Sequence, residues 1–293
     1  MASSPSLDPV RPFRVPLAVL LIGLAMVAAP TMIFVAQQSW GTESGGHGPI
    51  VLATGLWLVS RLWPEARQVA RPAPLPAVAV LLAGVLPLYI LSRVAQVVEV
   101  QGYIMYAVVL VTLYALIGAA AMRRLWFPLF YMGFMFPLPD TIVAALTGSL
   151  KILISKAAVG LLYSFGLPIG GAGVTIQVGT YQLLVAAACS GLNSIVALTA
   201  ISLFYVYMRH QADWRYALML AVLILPVAVF ANFVRVLILI LLTYYVGEAA
   251  AQGFLHNFAG LTMFAVALLT IFGLDSVIEP IWNRAARPRT AFA

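Results

Sequence analysis

The sequence predicts an all-α membrane protein, a polytopic bundle of about eight transmembrane helices. Three observations predict it. The chain is 63 % hydrophobic and only 9 % charged, where soluble domains are about half apolar and a quarter charged. Its mean hydropathy is +1.03. Its apolar residues form continuous runs rather than the alternation of a membrane barrel, and lipid tolerates no open sheet edge, so the runs read as helices.

Crossing the hydrocarbon core takes about 20 apolar residues. The candidate spans are residues 15–35, 49–63, 75–91, 103–122, 125–138, 187–208, 216–242 and 254–274. The second and fifth are short, and Pro128 and Pro137 interrupt the fifth. Only Arg11 and Arg14 precede the first run, and no small-x-small cleavage site follows it, so it reads as a retained span. The chain reads as one integral membrane domain over residues 1–293. It has a polar cytoplasmic N-terminus at 1–12, an outer interfacial segment and hairpin at 141–182, and a basic cytoplasmic tail at 280–293.

Lysine and arginine orient the helices. With the N-terminus inside, the cytoplasmic side collects Arg11, Arg14, Arg61, Arg67, Arg71, Arg123, Arg124, Arg209, Arg215, Arg284, Arg287 and Arg289. The outer side receives Arg93, Lys151 and Lys156. Arg235 is the single charge expected firmly inside a span. This bias holds only if residues 141–165 do not cross. Lys151 and Lys156 near their middle oppose crossing, so they read as a helix in the outer interface with its lysines toward headgroups. Two β-rich runs, "VTIQV" and "YQLLV", flank Gly179 and Thr180 and predict a short outer hairpin leading into the helix of Cys189. The net charge of +7 lies in clusters between apolar runs, a topology signal rather than a nucleic-acid footprint. One cysteine allows no internal disulfide, and three histidines with nine carboxylates predict no metal or other cofactor.

Topology then brings three residues to one depth. Cys189 stands at the outer start of its helix, in "ACSGLNS". His256 stands at the outer start of the last helix, in "HNFAG". Arg235, in "NFVR", lies seven residues below the outer end expected near Leu242, roughly 10 Å. Alone, a membrane cysteine packs as a small hydrophobe, and a histidine at a helix start caps it. An intramembrane arginine points to function. Together they suffice for acyl transfer. A thiolate is favoured by a helix N-terminus and a nearby cation, a histidine moves the proton, and an arginine stabilises the oxyanion. Asn232, three residues before Arg235, shares its helical face and either orients it or packs the helix. Ser190, Gly191 and Asn193 leave room for a substrate backbone beside Cys189. His47, Lys151 and Lys156 are possible substrate contacts.

These motifs, in this order and in the last three helices, resemble the exosortase/archaeosortase family, as does "HGPI" at residues 47–50 in the first outer loop. The likeness covers about residues 15–274; unlike some members, the chain shows no soluble domain after the last helix. The resemblance implies a membrane cysteine transpeptidase or protease of the bacterial inner membrane, associated with exopolysaccharide production. Its partner would be a membrane-anchored protein with a C-terminal sorting signal: a short motif such as Pro-Glu-Pro, a helix and a basic tail. By residue match Cys189 would be the nucleophile, Arg235 the transition-state stabiliser and His256 the acid/base, at the periplasmic face.

Two other functions stand beside this one. A transporter or export component for polysaccharide or lipid intermediates would carry polar groups near the midplane of several helices. A structural scaffold would leave Arg235 without a role.

Overall fold

Proline and glycine cut the apolar runs into the elements observed. The structure is a computed structural model that describes residues 14–42, 45–173, 175–179, 181–184, 193–209, 214–247 and 259–286, with 249, 251 and 253. The described residues are mostly helical, at 84 %. Five helices are long and apolar enough to cross a membrane among the described residues.

The chain clusters into two units. The first takes Met1–Gly41 and Leu52–Phe136. It holds α1 (Arg14–Val35), most of α2 (Gly48–Gln68), α3 (Leu75–Ala95), α4 (Val98–Arg124) and α5 (Trp126–Met132). Pro74, the N-cap of α3, holds extended backbone. A buried polar network ties three of these helices. Gln101 on α4 donates to the Thr31 hydroxyl on α1 at 3.2 Å, and that hydroxyl meets the Tyr89 hydroxyl on α3 at 2.9 Å. In α4, Gly118 takes φ +70 and opens the helix. The Arg71 and Ala73 amides donate to the carbonyls of Ile117 and Ala115 at that break.

The run at 125–138 does not form one spanning helix. α5 is seven residues, a 3-10 turn at Gly133–Met135 follows, and Phe136 is extended. Pro137 forces that extension, because a residue before proline is pushed out of the helical region.

The second unit takes Thr42–Val51 and Pro137–Ala293. Residues 141–165 lie almost wholly in one helix, α6 (Asp140–Ser164). A three-stranded antiparallel sheet follows: β1 (Ile169–Ala172), β2 (Thr175–Val178) and β3 (Tyr181–Leu184), in that spatial order. β2 and β3 pair as Thr175 with Leu184 through Val178 with Tyr181. β1 was not expected, since "IGGA" has little strand propensity. It is held by pairing with β2 and by α6, against which Ile169 packs. Then come α7 (Asn193–Arg209), α8 (Trp214–Tyr245) and α9 (Ala259–Ala286).

Among the described residues three apolar clusters lie along α8, one of them around Tyr216 and Leu220, and the other two flank Arg235. Toward the C-terminal end of α8, Val236 and Ile240 pack with Ile154, Ala158 and Leu162 of α6 and Ile169, Ile176 and Val178 of the sheet. Lower on α8, Ile224, Val227, Ala228 and Ala231 pack with Leu198 of α7 and Ala267 and Ile271 of α9. α8 thus serves as the spine on which the sheet, α7 and α9 are mounted.

Candidate active site

Arg235 falls between these two cores. On α8 the buried positions recur in pairs, at 231 and 232, 235 and 236, and 239 and 240. That is a stripe of helical period facing the protein, while Phe230 on another face is half exposed. Asn232 and Arg235 occupy the stripe, at 0 % and 1 % exposure. An arginine inside a span faces protein because facing lipid would leave its charge in hydrocarbon. The helix also runs three residues further than expected, to Tyr245, and terminates with Gly247 at φ +105. Arg235 is therefore ten residues from the helix end, roughly 15 Å rather than 10 Å.

Cys189, Ser190, Gly191 and His256 lie outside the described residues, as does the side chain of Asn193, the first residue of α7. The described flanks of Cys189 lie in elements that pack on α8 before and after Arg235. Before it, β3 ends at Leu184 in a sheet packed on Val236 and Ile240 of α8. After it, α7 begins at Asn193 and packs through Leu198 with Ala228 and Ala231. The eight residues 185–192 thus join anchors that contact α8 on the two sides of Arg235.

A polar joint gives these helices a common reference level. Asp275 on α9, 3 % exposed, accepts hydrogen bonds from Tyr205 of α7 at 2.5 Å and Tyr216 of α8 at 2.7 Å. Measured from that level, Arg235 is 19 residues along α8, roughly 28 Å. The start of α9 at Ala259, three residues after His256, is 16 residues away, roughly 24 Å. The start of α7, four residues after Cys189, is 12 residues away, roughly 18 Å. Arg235 and the starts of α7 and α9 thus lie on the same side of the joint.

Asp275 was missed because the last span was expected to stop at Leu274. The signal was present: a carboxylate inside "IFGLDSVIEP" flags an intramembrane polar role. Among the described residues Arg235 and Asp275 are the two buried charged side chains of this unit. His47 is 7 % exposed and sits in Thr42–Val51, the short segment that clusters with the unit of Arg235 rather than with the body of α2. Lys156 is exposed and lines a cavity of about 280 Å³ between α6 and β1, with Ser155, Val159, Gly160, Tyr163, Gly171 and Gly173. Lys151 is half-buried, and its carbonyl accepts the Ser155 hydroxyl at 2.9 Å. Among the described residues no group of three His, Cys, Asp or Glu side chains gathers to hold a metal.

A family model for transmembrane exosortases (EpsH) matches residues 40–273. The chain belongs to the transmembrane exosortase family. Searches of curated proteins and of solved structures return no match. As an exosortase-family member it is a multi-pass membrane protein. The matched region contains the His47 segment, Cys189, Arg235 and His256, whereas Asp275 lies two residues beyond it.

Proposed function

We propose that this exosortase-family protein is a cysteine acyl-transfer enzyme. It would cleave C-terminal sorting signals of membrane-anchored proteins at the outer face of the bacterial inner membrane. The observation that carries the reading is the burial of Arg235 on α8 between the two packing anchors of the Cys189 segment. A buried cation there favours a thiolate on Cys189, and it also suits a developing oxyanion.

In this mechanism the Cys189 thiolate attacks the scissile carbonyl, and Arg235 stabilises the resulting oxyanion. The carbon–nitrogen bond breaks as the tetrahedral species collapses to a thioester, and His256 protonates the departing amine. Water or an acceptor amine then attacks the thioester, His256 removes its proton, and the thiolate is regenerated. Asn232, one helical turn from Arg235 on the same stripe, orients it.

The test is co-expression with a substrate bearing a sorting signal. Cys189→Ala and Cys189→Ser are expected to leave the precursor at full size while the membrane protein accumulates normally. Unchanged processing by either variant defeats the proposal and leaves the transport reading, which needs no thiol.

A further inference from the structure

β3 is an edge strand among the described residues. Among the described residues β2 pairs with one side of it and no strand pairs with the other. Two residues separate Val178 from Tyr181, so that pair closes the hairpin as a hydrogen-bonded pair and bonding alternates from there. Gln182 and Leu184 then turn their N–H and C=O groups outward, away from β2. Native edge strands are usually blunted by charge, proline, a bulge or a cover. Tyr181–Leu184 reads Tyr-Gln-Leu-Leu and keeps four consecutive register pairs with β2, so its sequence carries neither charge nor proline and its pairing no bulge. The opposite edge differs: β1 is Ile-Gly-Gly-Ala, and a Cβ on its Gly171 would stand 3.1 Å from Val159 of α6. The open edge also points along the chain to the candidate nucleophile. Leu184 precedes Cys189 by five residues, at most about 17 Å of extended backbone. The sheet itself is seated on α8 at Val236, the residue after Arg235.

We propose that the edge of β3 left unpaired among the described residues takes up the substrate backbone as a fourth strand. An extended peptide of about four residues hydrogen-bonds to the outward groups of Gln182 and Leu184, and its continuation meets Cys189. This rests on the acyl-transfer reading and states how that site recognises its peptide. Main-chain pairing tolerates varied side chains. It accepts substrate proline only at every second position, where the missing N–H faces away from β3.

Three measurements test it in the full-length enzyme. Gln182→Pro removes an outward N–H and leaves the bonds to β2 in place, so kcat/KM is expected to fall about 2- to 10-fold for one lost hydrogen bond, mainly through KM. Gln182→Ala, which keeps that N–H, is expected to lose less than Gln182→Pro. Substrates N-methylated at one peptide bond at a time, offered to the unaltered enzyme, are expected to lose turnover at alternate positions, which removes any question of folding. In a Cys189→Ala background, Gln182→Cys is expected to form disulfides with single-cysteine substrates, since paired strands bring Cα atoms within bridging distance. No alternation in the N-methyl series together with no cross-link at position 182 overturns the proposal. Cross-links at 182 combined with processing that survives Cys189→Ala keep strand addition and reject acyl transfer. Loss of processing in Cys189→Ala without alternation or cross-links does the reverse.

Discussion

Asp275→Ala tests whether the three helices carrying the candidate site are held by one polar joint. The carboxylate of α9 accepts two hydroxyls, from Tyr205 at 2.5 Å and Tyr216 at 2.7 Å, one from each neighbouring helix. Hydrogen bonds to charged groups contribute about 1.5–3 kcal/mol, and those between membrane helices average about 0.6 and reach about 1.7. With both bonds to the carboxylate lost, and only the long 3.4 Å bond from Tyr216 to the Asp275 backbone carbonyl kept, the expected cost is about 2–3 kcal/mol. For a chain of this size that lowers the unfolding midpoint by about 4–10 °C, readable by thermal unfolding in detergent. Asp275→Asn keeps one carbonyl acceptor and is expected to lose about half as much. The decisive comparison adds Tyr205→Phe and Tyr216→Phe to Asp275→Ala. Once the carboxylate is gone the hydroxyls have little left to lose beyond Tyr216's long bond to the backbone carbonyl, so the triple variant is expected to sit within about 0.5 kcal/mol of Asp275→Ala. A triple variant whose cost equals the sum of the three single ones would refute the joint.

Other outcomes follow from the same geometry. Arg209 and Glu279 approach to 3.6 Å at the same end of the bundle but are 59 % and 35 % exposed, so Arg209→Ala is expected to cost under about 1 kcal/mol by the same unfolding measurement. Arg235→Met fills the buried site with apolar volume; stability is expected to hold while processing falls at least about 100-fold. Arg235→Lys keeps the charge but loses the planar fork, and is expected to recover only part of that activity in the same processing assay. Gly118→Ala would place a Cβ 2.1 Å from the Arg71 carbonyl oxygen at φ +70, so a loss of at least about 3 kcal/mol is expected by thermal unfolding. Gln101→Leu removes the donor that links α4 to Thr31 and is expected to cost about 1 kcal/mol in the same assay.

The site was partly readable before any fold was known. Arg235 announced itself because a charge amid Phe233, Val234, Val236 and Leu237 contradicts its surroundings. The strand pair around Gly179 followed from β-rich runs joined by turn residues. Asp275 carried the same signal as Arg235, but a window edge drawn at Leu274 hid it. β1 carried no signal, because two glycines give a strand nothing to pack, and only pairing with β2 and burial against α6 create it.

Composition and hydropathy alone determine that this chain belongs in a membrane and is helical, because burying backbone in lipid leaves few other solutions. Family membership is likewise a property of residues in order. Tertiary structure decided the rest. It shortened α5, carried α8 on to Tyr245, and grouped the His47 segment with Arg235. It also tied Asp275 to Tyr216 and Tyr205 across 59 and 70 residues of chain. The physical reason is range: periodicity and propensity act over one or two helical turns, whereas a hydrogen bond between helices exists only once packing has chosen which faces meet.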